Sequence, residues 1–523
     1  KKYFSCTITK KQMSISNSTT TTASTTFIDL ATFSELESFT YGGKDAITLF
    51  VAQVQKANWF SFIPITLRHT SGTPDFGVQN LTASVNRSGD YVLNVWFRAR
   101  IPLIGLRGNL TAGTAWRSDA GVAWTNNLMH NLIAKCNIAF NELIVQEFDN
   151  YYLDCLRAFK LNASKRVGYD NMIGQVGNMT TLQGNLSATA SAGYAGAVGD
   201  GSYRSVPLPF WFADDSGVAL PVAALPFNDV KITYTFRRLQ ELVVVSPGRN
   251  TPAGFTAVEP TVADVVVWTD ASTPGTATPT LGDPQTFAHY AVVHSDERVK
   301  MGDAPRDILI TQVQIAQSYS VRDVTQRNTI DIRFAHSIVA LFFMLENTSL
   351  VNLAAGVYGR EGSNYTTQSA LAIVGGNAPS NTVPTLGSDP IYYTQLLYEN
   401  TARYSMSSDY YMWLSPYFFA NSIPTDTGYH LISYSLNTFS ADPAGSTNFS
   451  KLANVSIVHD CSNDAQLAAN GTGYTGENTT TALQFINGGV LMPTFPQNFR
   501  AITLAINRNV ARIANGSLGH PTL

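Results

Sequence analysis

The 523-residue sequence predicts an all-β protein. From Phe27 onward, many short segments alternate apolar and polar residues, and clusters of Gly, Pro, Asn, Asp and Ser separate them, a pattern typical of antiparallel sandwiches and barrels. Hydrophobic residues make up 44% of the chain and aromatic residues 11%, which is enough apolar material for large cores. Charged residues make up only 14%, well below the usual share of about 25%, so the surface is predicted to be polar but mostly uncharged.

Charge and hydropathy disfavour several classes of protein. The 34 lysines and arginines nearly balance the 37 aspartates and glutamates, which leaves a net charge of -3 and no strong field to attract nucleic acid. Every apolar run is shorter than the roughly 18 residues needed to cross a bilayer. The N-terminal lysines precede Ser, Thr and Asn instead of an apolar stretch, so a secretory signal is not predicted.

The first predicted element is a flexible N-terminal arm over residues 1–26. Residues 13–26 (MSISNSTTTTASTT) are almost all Ser, Thr and Asn, and no apolar residue recurs with a regular period. Such a segment buries too little surface to offset the loss of chain entropy on folding.

Strands are predicted in both halves of the chain from a period of two. The clearest is 91–101, where Tyr91, Leu93, Val95, Phe97, Ala99 and Ile101 are expected to share one face, and Asn94, Arg98 and Arg100 the other. The same alternation occurs in three further sets: Ile232, Tyr234 and Phe236; Ile330, Ile332 and Phe334; and Ile502, Leu504 and Ile506. One stretch has helical spacing instead, with an apolar stripe of Phe148, Tyr151, Tyr152, Cys155, Leu156 and Phe159 that is typical of core packing.

The chain is predicted to divide at an unusually charged segment, Ser295 to Asp307 (SDERVKMGDAPRD), which suits an exposed connection. Residues 27–296 then form a first eight-stranded jelly roll, 297–307 the connecting segment, and 308–523 a second jelly roll. Long surface loops, which usually carry outward contacts, are predicted at 177–201, 246–284, 352–390 and 462–496.

No pattern in the sequence forces a reaction. Phosphate loops, GxSxG elbows, HExxH and EF-hand loops are absent, so no catalytic, cofactor-binding or metal site is predicted. His289, His294, Asp296 and Glu297 lack zinc-ligand spacing, and the adjacent Asp214 and Asp215 are expected to cap a turn. The four cysteines Cys6, Cys136, Cys155 and Cys461 are expected to be buried thiols. Candidate N-glycosylation acceptors in predicted loops are Asn364, Asn470 and Asn478.

Long stretches of the first half resemble iridovirus-type major capsid proteins, from large icosahedral double-stranded DNA viruses. They are FIDLATFSELESFTYGGKDAITLF (27–50), NRSGDYVLNVWFRARIP (86–102), MHNLIAKCNIAFNELIVQEFDNYYLD (129–154), SKRVGYDNMIG (164–174) and PLPFWFADDSGVALPVAALPFNDVKI (207–232). The second half continues the resemblance with SDERVKMGDAPRDILITQVQ (295–314), LLYENTARYSMSSDYY (396–411), DPAGSTNFSKLANVSI (442–457) and NRNVARIANGSLGHPTL (507–523). These blocks run in order over nearly all of 27–523.

The resemblance implies a double jelly roll with long surface loops and a few short helices. It also implies a homotrimer with a pseudo-hexagonal outline that tiles the outer icosahedral shell of the virion, assembled in the host cytoplasm. Its partners would be further copies of the chain, minor capsid proteins, an internal viral membrane and, through the loops, the host surface, with no direct contact to nucleic acid. No enzymatic activity and no cofactor are implied.

An alternative from another functional class is a jelly-roll protein that binds or cleaves carbohydrate. It is supported by the fold type and by the 7 Trp, 23 Tyr and 28 Phe residues, which could build sugar-stacking surfaces. The two hypotheses differ in a simple observable, because the capsid protein predicts a stable trimer and the lectin-like protein a monomer or dimer with affinity for glycans.

Overall fold

The computed structural model describes two compact units, residues 1–58 and 59–523. Within 26–519 the description omits these positions: 29–30, 33, 45, 53, 55, 108–113, 116–120, 181–198, 247–255, 258–260, 270–274, 304, 322–323, 349, 354–355, 361, 368–387, 470–484, 488–489 and 493–497. The predicted N-terminal arm, except for Thr26, lies outside the described residues. In the first unit, helix α1 (Glu35–Thr40) begins after Ser34, whose backbone N–H donates to Glu37 Oε2 at 3.2 Å.

The first half of the second unit is built mainly from short strands. They are β1 (Phe60–His69), β2 (Leu81–Ser84), β3 (Tyr91–Arg100), β4 (Ile104–Leu106), β5 (Thr114–Ala115), β6 (Gly121–Trp124), β7 (Ile133–Phe140), β8 (Leu143–Asp149), β9 (Tyr203–Leu208), β10 (Val230–Phe236), β11 (Val243–Ser246), β12 (Thr256–Ala257), β13 (Val265–Val267) and β14 (Gly282–Val293). Its helices are α2 (Leu128–Leu132), α3 (Asn150–Cys155), which continues into a π-helical turn (Leu156–Lys160), α4 (Ala163–Ile173) and α5 (Gly177–Thr180).

These strands form a jelly-roll sandwich, which we call the first sandwich. One sheet has the order β1-β14-β3-β9, and the other has the order β2-β10-β7-β8. Strand β1 joins the sheets, because it pairs with β14 through residues 60–67 and with β2 at Arg68 and His69. All of these pairings are antiparallel.

The second half repeats this architecture. Its strands are β15 (Arg306–Ile315), β16 (Tyr319–Val321), β17 (Asn328–Asp331), β18 (Ser337–Asn347), β19 (Leu350–Leu353), β20 (Gly356–Arg360), β21 (Ile391–Tyr398), β22 (Thr401–Ser407), β23 (His430–Ser433), β24 (Thr447–Asn448), β25 (Val455–Cys461), β26 (Phe485–Asn487), β27 (Val490–Met492), β28 (Phe499–Ala514) and β29 (Ser517–Gly519). Its helical segments are α6 (Ser295–Asp303), a π-helical turn (Tyr410–Leu414), α7 (Ser415–Phe419) and α8 (Asn463–Ala469).

The two sandwiches share one strand order. In the second sandwich, β15-β28-β18-β23 form one sheet and β17-β25-β21-β22 form the other. Among the eight strands named for each sandwich, the first pairs with the last, as β1 with β14 and β15 with β28. The last pairs with the third, as β14 with β3 and β28 with β18, and the third pairs with the strand that follows the helical segment, β9 or β23. The chain thus contains two copies of the same jelly-roll arrangement.

The sheet β15-β28-β18-β23 is apolar on both faces. From β18, Leu341 and Phe343 point into the second sandwich, whereas Ala340 and Phe342 belong to the buried cluster that fills the first sandwich. Strand β28 does the same, with Ala505 on one side and Leu504 on the other. One face of this sheet therefore packs inside the second sandwich, and its other face packs against the first sandwich. We call the contact between its outward face and the first sandwich the seam.

The predicted alternation is confirmed in β10, where Ile232, Tyr234 and Phe236 are buried. In β3 it is correct only from Val95 onward. Near the start of β3 the pairing with β14 shifts register, so that Leu93 is an extra residue in a β-bulge and Val92 is the buried residue instead. The predicted placement of Tyr91 and Leu93 on the core face is therefore wrong, because a bulge reverses the alternation.

The predicted helical stripe is confirmed from Tyr151 to Phe159, which lie on α3 and the π-helical turn and are buried. Phe148 is the exception, because it lies at the end of β8. The segment predicted to connect the two halves contains helix α6, and Arg298 of this helix pairs with the buried Asp90 through Nε and Oδ1 at 2.8 Å.

The predicted loops contain short secondary-structure elements where they are described. Strand β13 pairs with β4, β19 with β20, and β26 with β27, and helix α8 begins the last of these loops. The centres of three loops, at 181–198, 368–387 and 470–484, lie outside the described residues.

Phe159 gives a direct test of the seam. Replacing Phe159 with Ala should lower the free energy of unfolding by about 3–5 kcal/mol, because the fully buried ring leaves a cavity between the sandwiches. Urea unfolding at fixed protein concentration measures the change. Phe39→Ala, at a ring that is 92% exposed, is the control and should change stability by less than about 0.5 kcal/mol. A similar loss in both variants would contradict the proposed role of the seam.

Candidate functional site

The seam is built around aromatic side chains. The Phe159 ring stacks on Phe342 of β18 with centroids 5.5 Å apart, and it meets Tyr429 edge-on at 6.4 Å. Ile502, Leu504 and neighbouring residues of β28 complete the same buried cluster. The helical segment after β8 therefore packs directly on the outward face of the second sandwich's sheet.

A buried carboxylate, Asp154, gathers polar groups from both sides of the seam. From the first sandwich, Asn127 Nδ2 donates to its Oδ1 at 3.0 Å, and His130 Nδ1 lies 2.7 Å from the same oxygen. From the second half, Ser363 Oγ and Tyr365 OH donate to Oδ2 at 2.5 and 2.8 Å. Asp154 thus fixes the segment 362–367 against the first sandwich.

Arg157 makes a second polar contact across the seam. Its Nε and Nη2 donate to the two oxygens of Asp170 at 2.6 and 2.9 Å, and its Nη1 donates to Asp426 Oδ2 at 2.5 Å. Burial opposes the charge, but the hydrogen bonds from Arg157 to Asp170 and the charge of Asp426 outweigh it and raise the pKa of Arg157 above its ordinary value. Arg157 is therefore a permanent cation that links the two halves.

A third polar contact surrounds Glu346, which is buried at the end of β18. Tyr151 OH donates to Glu346 Oε2 at 2.9 Å, and Arg500 Nη2 donates to the same oxygen at 2.5 Å. Gln312 of β15 donates through Nε2 to the Val145 carbonyl at 2.7 Å, again across the seam. Such directional contacts fix the register of two otherwise apolar faces.

The interior of the second sandwich holds a buried pair of histidines. The Phe343 ring lies between His430 and His459, with centroid distances of 4.9 and 5.2 Å. His430 Nε2 lies 2.8 Å from Asp389 Oδ2, and Thr394 Oγ1 lies 3.1 Å from His459 Nδ1. Burial, and then the neighbouring His430, lower the pKa of His459 from 6.5 to about 3.

Two exposed aromatic surfaces stand apart from these buried contacts. The first, which we call the helical patch, lies on the segment after β22 and consists of Trp413, Leu414, Tyr417 and Phe418. Tyr417 and Phe418 meet edge to face with centroids 5.1 Å apart, and their exposed fractions are 67% and 65%. An exposed aromatic group of this kind is a candidate interaction site.

The second exposed surface, which we call the sheet face, is the outward side of β1-β14-β3-β9. Its aromatic side chains are Phe60, Phe62, Trp96, Tyr203, Phe287 and His289, and the same face carries Pro207, Arg98, Arg100 and polar residues such as Thr66, Ser205 and Gln285. Trp96 stacks on Phe287 at 5.4 Å, and the Arg98 guanidinium lies 3.9 Å above the Tyr203 ring. Because β1 has no described partner strand beyond β14 along residues 60–67, this face ends in an open strand edge.

Of the three candidate glycosylation acceptors, only Asn364 lies among the described residues. Asn364 is only 2% exposed, and its Oδ1 accepts hydrogen bonds from Thr366 N at 3.1 Å and Thr366 Oγ1 at 2.8 Å. The folded chain therefore does not present this acceptor, because the predicted loop is packed into the protein at this point. Asn470 and Asn478 lie outside the described residues.

The aspartates and cysteines considered from the sequence make contacts typical of structural residues. Asp215 accepts from Gly217 N at 3.3 Å, as expected of a turn cap, and Asp214 pairs with Lys160. Cys136, Cys155 and Cys461 are buried free thiols, and Cys6 lies outside the described residues. Among the described residues no cluster of His, Cys, Asp and Glu could hold a metal ion, and no helix is long and apolar enough to cross a membrane.

Sequence reasoning missed Asp154, the helical patch and the sheet face. One signal could have located the patch: the pair Tyr151-Tyr152 after β8 recurs as Tyr410-Tyr411 after β22. The stripe that follows the first pair is recognisable by its spacing, whereas the second stripe is interrupted by Pro416.

The duplicated sandwich has counterparts among solved structures. A chain of the PBCV-1 virus capsid matches with a TM-score of 0.62 and 18% identity, covering 91% of this chain and all of that one. The Faustovirus major capsid protein matches with a TM-score of 0.62 and 12% identity, covering 90% and 93% of the two chains. The fold defines the class: this is a double jelly-roll protein.

Sequence comparison gives the family. A family model described as the large eukaryotic DNA virus major capsid protein matches residues 297–519, and one described as the major capsid protein N-terminus matches 48–271. The chain is 42% identical to the major capsid protein of Tipula iridescent virus, covering 96% of this chain and 98% of the relative. It is 38% identical to that of Lymphocystis disease virus 1, covering 98% and 100%.

The chain belongs to the major capsid protein family of large eukaryotic DNA viruses, and its similarity to iridovirus members extends over nearly its whole length. The resemblance inferred from the sequence and the double jelly-roll fold are both confirmed. Its role is structural, in the capsid of the virion. The seam is thus the interface between the two jelly rolls of a capsid subunit.

Asp154→Asn tests the polar part of the seam. The variant places an NH₂ group where an oxygen accepted hydrogen bonds, so at least one of the donors Asn127, His130, Ser363 and Tyr365 loses its acceptor. We expect the free energy of unfolding to fall by about 1–3 kcal/mol for each unpaired donor. Urea unfolding measures the loss, and Asp296→Asn, at an exposed carboxylate, should be neutral. Equal stability of Asp154→Asn and wild type would show that the network contributes nothing.

His459 predicts a specific pH dependence. Below pH 6.5 the unfolded chain gains a proton at His459, whereas the folded chain does not until about pH 3. Stability should therefore fall as the pH drops from 6.5 toward 3, by up to about 1.4 kcal/mol per pH unit from this group. His459→Asn should make the loss of stability between pH 6.5 and pH 5 shallower, and His294→Asn, at an exposed histidine, should leave it unchanged. Identical slopes for wild type and His459→Asn would refute this assignment.

Proposed function

We propose that three copies of this chain form a pseudo-hexagonal capsomer, and that these trimers tile the outer icosahedral shell of a large DNA virus. The observation that carries the proposal is the duplicated sandwich, because two jelly rolls of the same strand order in one chain give six in a trimer. A closed ring of identical subunits also leaves no unpaired interface within the capsomer.

The proposed building blocks are residues 27–296 and 308–523, joined by 297–307. The apolar seam supports treating them as one rigid pair, since Phe342, Leu504 and Phe159 belong to a single buried cluster. A subunit that keeps its two jelly rolls in a fixed orientation can present the same outline at every lattice position.

The proposed role is association without catalysis. Permanent interfaces within a trimer are usually large and apolar, whereas contacts between trimers can be smaller and more polar, because the closed lattice multiplies them. The exposed helical patch and sheet face supply apolar surface of the first kind, and the low charged fraction of 14% limits repulsion between close copies.

The remaining partners follow from the polarity of such a shell. We place the long loops on the outer surface, toward the host, and the N-terminal arm toward minor capsid proteins and an internal viral membrane, with assembly in the host cytoplasm. Direct contact with nucleic acid is not part of the proposal, in keeping with the net charge of -3. Asn470 and Asn478 remain the candidate glycosylation acceptors.

The oligomeric state tests this proposal. Light scattering after size exclusion should give about 170 kDa, three times the chain mass of 56.8 kDa, and the value should hold across dilution because the interface is expected to be obligate. Unchanged mass from low to high salt is also expected, because apolar contacts are not screened. A chain that remains at 56.8 kDa would contradict the proposal and favour a glycan-binding screen instead.

A further inference from the structure

The seam inside the chain offers a template for the contact between chains. We infer that the helical patch of one copy packs on the sheet face of the next, an inference that rests on the proposed trimer. Phe418 would then contact the region around Trp96 in the same way that Phe159 contacts Phe342. The partner at both surfaces is a second copy of this chain.

The donor side of the contact is repeated in the sequence and in the fold. Strand β8 leads into α3 and a π-helical turn, and β22 leads into a π-helical turn and α7, so each sandwich has a helical segment of mixed type at the same topological position. Aligning Tyr151-Tyr152 with Tyr410-Tyr411 without gaps places Phe159 on Phe418. In the first segment this ring is fully buried at the seam, and in the second it is 65% exposed.

The acceptor side is repeated as well. Phe342, on which Phe159 stacks, is the sixth residue of β18 and pairs with Leu504 of β28 and Leu431 of β23. Trp96 is the sixth residue of β3 and pairs with Phe287 of β14 and Pro207 of β9. Trp96 therefore occupies in the first sandwich the position that Phe342 occupies in the second, on the outward face of the equivalent sheet.

The two surfaces match in chemistry. The helical patch consists of aromatic and aliphatic side chains only. On the sheet face, the Arg98 guanidinium lies 3.9 Å from the centre of the Tyr203 ring, and Arg100 donates through Nε to the Gly201 carbonyl at 2.6 Å. A phenylalanine entering beside Trp96 and Phe287, whose rings stack with centroids 5.4 Å apart, would meet an aromatic surface, as Phe159 does at the seam. Neither surface brings an unpaired carboxylate into the contact.

The contact also has the symmetry that a closed ring needs. It joins two different surfaces, so every copy offers one patch and one face. Because each intermolecular contact would repeat the intramolecular one, all neighbouring jelly rolls around the ring would be joined in the same way. Three copies of a subunit with two jelly rolls, joined in this way, would form a ring of six jelly rolls, as in the proposed trimer.

Charge substitutions on each side test the pairing. Phe418→Lys and Tyr417→Lys alter the helical patch, and Phe62→Glu alters the sheet face at a ring that is 63% exposed. We expect all three variants to shift from about 170 kDa to 56.8 kDa in light scattering, because a lysine or glutamate would be buried without a partner. Tyr392→Lys, at a ring that is 68% exposed on the opposite sheet of the second sandwich, is the matched control and should remain at the wild-type mass.

Mixing variants tests the head-to-tail geometry. Phe418→Lys keeps an intact sheet face and Phe62→Glu keeps an intact helical patch, so the mixture should form a dimer of about 114 kDa, twice 56.8 kDa, through one unmodified contact. Circular dichroism of each variant should match wild type, which separates dissociation from misfolding.

The outcomes separate this inference from the proposed function. A trimeric wild type whose Phe418→Lys or Phe62→Glu variant is also trimeric would overturn the pairing and leave the trimer standing. A mixture that stays at 56.8 kDa would overturn the head-to-tail arrangement. A monomeric wild type would overturn the trimer and this contact with it.

Discussion

A β-sheet that is apolar on both faces must be covered on both faces, and β15-β28-β18-β23 is such a sheet. One face closes the second sandwich through residues such as Phe343, and the other lies against the first sandwich through residues such as Phe342. Neither half could expose this sheet to water without losing a large hydrophobic stabilisation. The orientation of the two jelly rolls, and the outline that the subunit offers to its neighbours, depend on this one constraint.

Burial of apolar faces holds the two sandwiches together but does not determine their relative position. The polar contacts at the seam determine it, because hydrogen bonds are directional. Asp154 accepts hydrogen bonds from both halves, and Arg157 bridges Asp170 of the first half and Asp426 of the second. Each would leave a buried charge or donor unpaired if the sandwiches slid past one another. Apolar residues therefore hold the sandwiches together, and polar residues set their register. Both are needed in a protein that must have the same shape at many lattice positions.

The sequence predicted the parts of the fold that local pattern encodes. Alternation located β10 because only one of its faces is buried, and aromatic spacing located the helical segment around Tyr152. Local pattern failed where long-range pairing decides: the bulge at Leu93 depends on its partner strand β14, and the burial of Asn364 depends on how a loop packs. The second role of β28 was hidden for the same reason, because Ile502, Leu504 and Ile506 look the same whether they face their own sandwich or a neighbouring one.

Hydrogen exchange followed through a urea titration tests most directly whether the two sandwiches behave as one unit. Peptides from β3 and β14 report on the first sandwich, and peptides from β18 and β28 report on the second. If the sheet between them depends on both, all four strands should lose protection at the same urea concentration. Loss of protection in one sandwich at a lower concentration, while the other remains fully protected, would contradict the central role assigned to the seam.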